Sequence, residues 1–279
     1  MASLTGKVAL VTGASRGIGA DVARMLAAEG AHVVCCARTE QEGQHPLEGS
    51  LAGTVGAIRA AGGEATAVGA NLARDEDCER VVAAAGPVDV LINNAAVAFF
   101  GPTKDLPVSR WTVSWRVTVH ATFVLSRLVL PNMLERGWGR IVNVTSESAI
   151  GPGAGPYPGT PIVGDTAYGA QKAAIERFSQ GLAEEVYPDG VGVAAIAPSL
   201  IVPTPGALAN AQITGPDDPR VEDAAYMPAA ILALVTDPLE DMAGRVVYSQ
   251  QLLLEKGLIA AGVGLGVDPQ RRVTGYAEP

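Results

Sequence analysis

Thr12-Gly13-Ala14-Ser15-Arg16-Gly17-Ile18-Gly19 decides how this chain is read. It follows a short apolar run, Val8-Ala9-Leu10-Val11, and precedes a helical pattern over residues 20–29. The pattern is a buried strand entering a helix through glycines. Residues without a Cβ bend tightly and let backbone approach a ligand. The first N–H groups of a helix lack internal partners, and the helix dipole adds partial positive charge there, which suits a diphosphate. The spacing is G-x-x-x-G-x-G. Alone, the stretch fits either a nucleotide site or a plain connecting turn, and the rest of the chain decides between them.

Outward from that turn, apolar runs alternate with helical periods. The patterns predict strands at residues 33–37, 65–70, 88–92, 141–144, 191–197 and 246–248. They predict helices at residues 54–60, from Asp75 to near Gly86, at 109–136 with a kink or break at Pro131, and at 166–186. Residues 39–53, with Gly43, Pro46 and Gly49, read as a surface excursion, and residues 151–164 as a Gly/Pro-rich loop. Continuously apolar strands separated by helices signal a parallel sheet covered on both faces. The expectation is therefore a single α/β domain over residues 1–279. Its mostly parallel, doubly wound, Rossmann-like sheet has about seven strands in three α-β-α layers. Residues 199–227 are expected to form a lid. Residues 262–279 are expected to fold over a neighbour or stay loose.

Composition narrows the partners. The 279 residues are 48% hydrophobic and 18% charged, with a net charge of −9. The acidic balance argues against nucleic acid or an anionic membrane surface as partner. No apolar run is read as long enough to span a bilayer, and the N-terminus lacks the features of a signal peptide. Cys35, Cys36 and Cys78 form neither a disulfide framework nor a metal spacing, because neighbours in a strand point to opposite faces. No metal site and a reducing, cytoplasmic setting are expected.

In such a sheet the ligand lies at the carboxyl ends of the strands. Those ends carry the glycine turn (Gly13, Ser15, Arg16, Gly17, Ile18, Gly19), then Arg38, Asn71 and Leu72, Asn93 to Ala96 including Ala95, and Ser146. A free ribose 2′-hydroxyl usually meets an acid at the end of the second strand. Here Ala37-Arg38 stands in that place, and an arginine fork suits a 2′-phosphate. With Arg16 adding charge nearby, NADP(H) is expected over NAD(H).

The combination of Thr12 to Gly19, Asn93-Asn94-Ala95-Ala96, Ser146 and Tyr168-Gly169-Ala170-Gln171-Lys172 resembles the short-chain dehydrogenase/reductase family, over residues of about 4–257. The excursion with His45-Pro46-Leu47-Glu48-Gly49-Ser50 also resembles its hydroxysteroid-dehydrogenase-like branch. The resemblance implies Ser146, Tyr168 and Lys172 as the catalytic group, with Lys172 also holding the nicotinamide ribose. It implies Pro198 and Ile201 as nicotinamide contacts, and a homodimer or homotetramer paired through the two long helices. Residue chemistry agrees. Tyr168 and Lys172, four apart, share a helix face. A nearby ammonium is expected to lower the phenol pKa so that Tyr168 exchanges a proton with a carbonyl oxygen. Ser146 would donate to the same oxygen.

Departures from the family pattern are informative. Thr118 stands where the family has an asparagine of the proton relay. Pro203 stands where a threonine is expected, with Thr204 one place later, and Ser199 replaces a glycine. The long segment before Tyr168 leaves Ser148 and Thr145 as competitors of Ser146. His120 is read as structural. The residues around Leu200 to Met227 are moderately apolar. The reading is an oxidoreductase moving a hydride between NADP(H) and a neutral, fairly apolar ketone or secondary alcohol. The alternatives are a nucleotide-binding regulatory or interaction protein that has lost catalysis, and a lyase or epimerase that recycles its nucleotide.

Overall fold

Val8–Thr12 forms β1, with Ala9 and Val11 packed into one apolar layer and Leu10 into another. The alternation repeats in β2 (His32–Ala37): Val33 and Cys35 face the first layer, Val34 and Cys36 the second. Successive side chains of a strand point to opposite faces, so a run apolar at every position must be covered on both. The computed structural model describes residues 4–157, 164–215 and 217–267. Within them β3 (Glu64–Gly69), β4 (Val90–Asn93), β5 (Gly139–Val144), β6 (Val191–Ala197) and β7 (Val246–Tyr248) complete the sheet. Its order is β3-β2-β1-β4-β5-β6-β7 and every pairing is parallel.

The helices are α1 (Gly17–Ala28), α2 (Leu51–Ala60), α3 (Asp75–Ala85), α4 (Val108–Trp115), α5 (Ala121–Arg136) and α6 (Thr166–Val186). They continue with α7 (Pro205–Ala209), α8 (Tyr226–Thr236), α9 (Leu239–Met242) and α10 (Ser249–Glu255). Val22 and Leu26 of α1, Ile58 of α2, Ile231 of α8 and Leu252 of α10 build the first layer. Val81 of α3, Leu125 and Met133 of α5, and Leu182 of α6 build the second. The result is the three-layer, doubly wound arrangement. The chain leaves β1 toward β2 and β3, then returns to β4 on the other side of β1. The crevice at that switch point, at the strands' carboxyl ends, is the place for a ligand.

Three local features differ from expectation. First, α2 begins at Leu51 rather than residue 54, because the Ser50 hydroxyl accepts the Gly53 N–H and caps the helix. Second, the long helix changes character not at Pro131 but at a π turn, Arg116–His120, between α4 and α5. Pro131 lies on the exposed face of α5, where the carbonyl one turn back that loses its partner can be solvated, and the helix continues to Arg136. Third, Val108–Arg136 is long and apolar enough, by length and composition alone, to cross a membrane, with a mean hydropathy of 1.3. In the fold its buried stripe, Ala121, Leu125, Val129 and Met133, is a face of the second layer. Residues 158–163 of the 151–164 loop and residues 268–279 of the tail lie outside the described residues.

Candidate active site

Two side chains tie the switch point together. Thr12 Oγ1 donates to Ile92 O and accepts the N–H groups of Asn94 and Ala95, each at 3.0 Å. Asn94 Nδ2 donates to Thr12 O at 2.8 Å. The glycine turn folds against this knot. Gly13 has φ +69°, and a Cβ there would lie 2.7 Å from Asn94 Nδ2. Gly17 has φ +53°, and a Cβ there would lie 2.9 Å from the Thr204 methyl. Only glycine combines a left-handed backbone with such close approach. No side chain caps α1 and no acid occupies its first turn, so its N-terminal N–H groups are left for an anion.

A cleft of about 460 Å³ extends from this turn across the ends of β2 and β3. It is lined by Gly13, Ser15, Arg16, Gly17, Ile18 and Gly19, by Arg38, by Asn71 and Leu72, and by Ala95. Arg38 is exposed. Arg16 is engaged from behind: it donates to the carbonyls of Glu48 (2.7 Å), Gly49 (2.8 Å) and Leu47 (3.3 Å), and to Thr39 Oγ1. The 39–50 excursion is thus wrapped around Arg16, and Arg38 is the more available cation. His45, which the sequence did not assign to the cofactor site, also lines this cleft, and burial together with Arg16 and Arg38 pushes its pKa down. The residues present fit a dinucleotide phosphate end: an uncapped helix start, glycines that a Cβ would crowd, two guanidinium groups and no carboxylate in the lining.

The side chain of Asn93 is not in this cleft. It is buried and donates to Asn143 Oδ1 at 2.9 Å, while Asn143 donates to Ser179 Oγ at 2.8 Å. Strand alternation explains this placement. Asn93, the last residue of β4, points to the α5/α6 layer, and the next residue, Asn94, turns to the ligand side.

The neighbouring cleft, about 810 Å³, contains Ser146, Tyr168, Lys172, Pro198 and Ile201. It joins the first at Ile18, Asn94, Ala96 and Thr204. Ser146 follows β5 and lines the same cleft as the Tyr168 phenol, whose pKa it lowers. Ser148 Oγ is 3.3 Å from Ser146 Oγ, and its N–H also donates to Ser146. Thr145 is turned away: its hydroxyl meets Lys172 O and Glu176 Oε1, the latter at 3.0 Å. Of the three hydroxyls, that of Ser146 is the one that acts on the tyrosine's pKa.

The electrostatics of Tyr168 differ from the expected lowering. Burial pushes its phenol up to about 12, Asp165 adds to that, and the Ser146 hydroxyl opposes it. Lys172 lies 5.5 Å from the ring centroid, but its Nζ donates to Val144 O at 2.7 Å. Lys172 is 2% exposed, and burial pushes it down to about 8, with Glu176 pulling the other way. Desolvation therefore outweighs the lysine's influence on the phenol. Glu176, 1% exposed and one turn beyond Lys172, is itself pushed up to about 7 by burial. The pattern Lys172-Ala173-Ala174-Ile175-Glu176 carried the signal for this acid, because positions four apart share a helix face.

Thr118 does not line either cleft. Its hydroxyl accepts the Val97 N–H at 3.3 Å inside the π turn. His120 pairs outward with Asp75 at 2.8 Å. Thr204 caps α7 by accepting the Ala207 N–H. Phe100, also missed from sequence, packs edge-on to Tyr168 with centroids 5.7 Å apart.

Comparison with known proteins agrees with this geometry. The family model described as short chain dehydrogenase matches residues 7–212. The ketoacyl reductase HetN of Nostoc sp. is 30% identical over 269 residues, covering 94% of this chain and 86% of that protein. Actinorhodin polyketide ketoreductase with NADPH has a TM-score of 0.74 and 28% identity, covering 89% of this chain and 97% of that one. A 3-oxoacyl (acyl-carrier-protein) reductase from Agrobacterium tumefaciens with NADP bound has a TM-score of 0.73 and 30% identity, covering 88% and 93%. The chain therefore belongs to the short-chain dehydrogenase/reductase family, nicotinamide-dependent oxidoreductases acting on CH–OH and C=O groups.

Proposed function

We propose that this protein reduces a neutral, fairly apolar ketone, or oxidises the matching secondary alcohol, with NADP(H) preferred over NAD(H). The observation that carries the reading is that Ser146, Tyr168 and Lys172 line one cleft, which joins the cleft of the glycine turn and Arg38. When bound, the dinucleotide supplies or accepts the hydride. The residues do the rest. Ser146 Oγ and the Tyr168 hydroxyl converge on one carbonyl oxygen, and Tyr168, a neutral phenol at physiological pH, gives it the proton. Lys172, anchored on Val144 O one turn from Tyr168 on the same helix, would hold the dinucleotide's ribose. Phe100 covers Tyr168 from one side and helps to keep water out.

The preference for NADP(H) is supported by Arg38 and Arg16 in the phosphate-end cleft and by the NADP and NADPH bound in the two solved neighbours. A homodimer or homotetramer is supported by apolar side chains left exposed on α5. A reducing, cytoplasmic setting is supported by three buried free thiols. The net charge of −9 supports a small-molecule partner over nucleic acid or membrane.

Tyr168→Phe tests the mechanism. Turnover of ketones found by a substrate screen should fall by at least about 100-fold, the scale of a lost general acid, while NADPH binding by fluorescence titration stays within about twofold. Unchanged turnover would refute the role given to Tyr168.

A further inference from the structure

Beyond α10 the chain doubles back across the start of the segment that follows β6. Three contacts fix the return. Val263 N–H donates to Gln250 Oε1 at 2.8 Å, Leu265 N–H donates to Ser199 O at 3.1 Å, and Gly266 lies on the Tyr248 ring. The sequence is Gly262-Val263-Gly264-Leu265-Gly266, with glycine at alternate places. None of the three glycines has room for a side chain. A Cβ on Gly262 would lie 2.9 Å from Val267. One on Gly264 would strike the Ser199 carbonyl, and one on Gly266 the Tyr248 ring.

The partners are themselves immobilised. Glu222, 3% exposed, accepts the N–H groups of Ser199 and Leu200, the Ser249 hydroxyl and the Gln250 amide. One buried carboxylate thus ties together the residues after β6, the start of α10 and, through Ser199 and Gln250, the returning strap. Inward-facing glycines press the strap flat and leave the intervening side chains outward. Of these, Leu265, 40% exposed, lines the cleft that holds Tyr168, together with Phe100, also 40% exposed, Ile150, Leu200 and Ile201.

We propose that residues 262–267 are a fixed wall of the substrate cleft and that Leu265 is a specificity-determining residue, contacting the apolar body of the substrate away from its carbonyl. The proposal rests on the carbonyl-reductase reading above and names the part of the cleft that selects alkyl bulk. Polar groups (Ser146, Tyr168) hold the oxygen end, and Leu265 and Phe100 offer apolar surface for the remainder. Covering a half-exposed leucine with alkyl carbon removes apolar area from water on both partners, so affinity rises with chain length.

The experiment compares wild type, Leu265→Ala, Leu265→Met and, as a control outside the cleft, the exposed Leu258→Ala. Rates are measured with saturating NADPH on methyl ketones from acetone to octan-2-one. Leu265→Ala should raise KM for octan-2-one by about tenfold, with KM for acetone and kcat within about twofold. Leu265→Met should restore most of the difference, and Leu258→Ala should behave as wild type. NADPH affinity should be the same in all four. An equal effect of Leu265→Ala on both ketones, or none, overturns the proposal. If wild type consumes NADPH with no ketone, the reductase reading fails separately. The wall is then judged by calorimetric binding of octan-2-one to the NADPH-loaded protein. Weaker binding in Leu265→Ala upholds it. Equal affinity, or no binding to wild type, overturns it.

Discussion

At the scale of single residues, two groups set the chemistry and the cofactor. Tyr168 is held as a neutral phenol by burial, with its pKa raised to about 12. Reduction consumes the phenol form and oxidation the phenolate. The sign follows directly: for an acid with a raised pKa, the protonated form prevails at every pH below it. Initial rates of ketone reduction should therefore stay level from about pH 6 to about pH 8, while alcohol oxidation rises with pH, by up to about tenfold per unit. An oxidation rate that falls over this range would exclude Tyr168 as the base. Arg38, exposed beside the end of β2, should carry most of the 2′-phosphate discrimination, since Arg16 already spends its donors on the 47–49 carbonyls. Arg38→Ala should weaken NADPH by about tenfold or more, the worth of a charge-assisted hydrogen bond, and leave NADH unchanged in parallel titrations. Sequence placed Arg16 in the glycine turn and Arg38 just after β2. It could not show that one is a brace, because the bracing carbonyls come from a loop with no periodicity.

At the scale of elements, the β1–α1 turn is the most constrained piece. Gly17→Val forces a branched side chain onto a left-handed backbone and against Thr204. It should cost about 1–3 kcal/mol of stability by denaturant unfolding and also abolish tight NADPH binding. The contrasting change is Gly56→Ala in α2, where a Cβ meets nothing within 4 Å; it should stabilise by about 0.5–1 kcal/mol. A destabilised Gly56→Ala or a tolerated Gly17→Val would contradict this account. The strands and α6 were legible because their patterns are long and unambiguous: α6, β6 and β7 fall at the residues the pattern assigns. The π turn was not legible. One extra residue in a helical turn leaves no compositional mark, and the proline that did leave a mark sits harmlessly on the outer face of α5.

At the scale of the whole molecule, the outer face of α5 and α6 carries an apolar groove. Phe123, Leu130, Pro131 and Leu134 of α5 and Phe178 of α6 line a groove of about 730 Å³, with Phe123 and Phe178 edge to face at 6.1 Å. Light scattering should show a dimer or tetramer, and Phe123→Asp with Leu134→Asp should shift the mass toward the monomer; a monomeric wild type would refute this use of the face. The sequence by itself determined the sheet and its layers, and pointed to Tyr168 and Lys172 as a pair on one helix face. Period-2 and period-3.6 apolar patterns, with glycines at a strand-to-helix turn, are local, and local patterns are written in consecutive residues. Only the tertiary structure decided which neighbour lines the cleft (Asn94, not Asn93), which hydroxyl acts on Tyr168, and that burial raises rather than lowers its phenol. It alone brought Arg16 into the 39–50 excursion and Leu265 into the cleft. These depend on desolvation and on contacts between segments far apart in the chain, and neither is encoded at any single position.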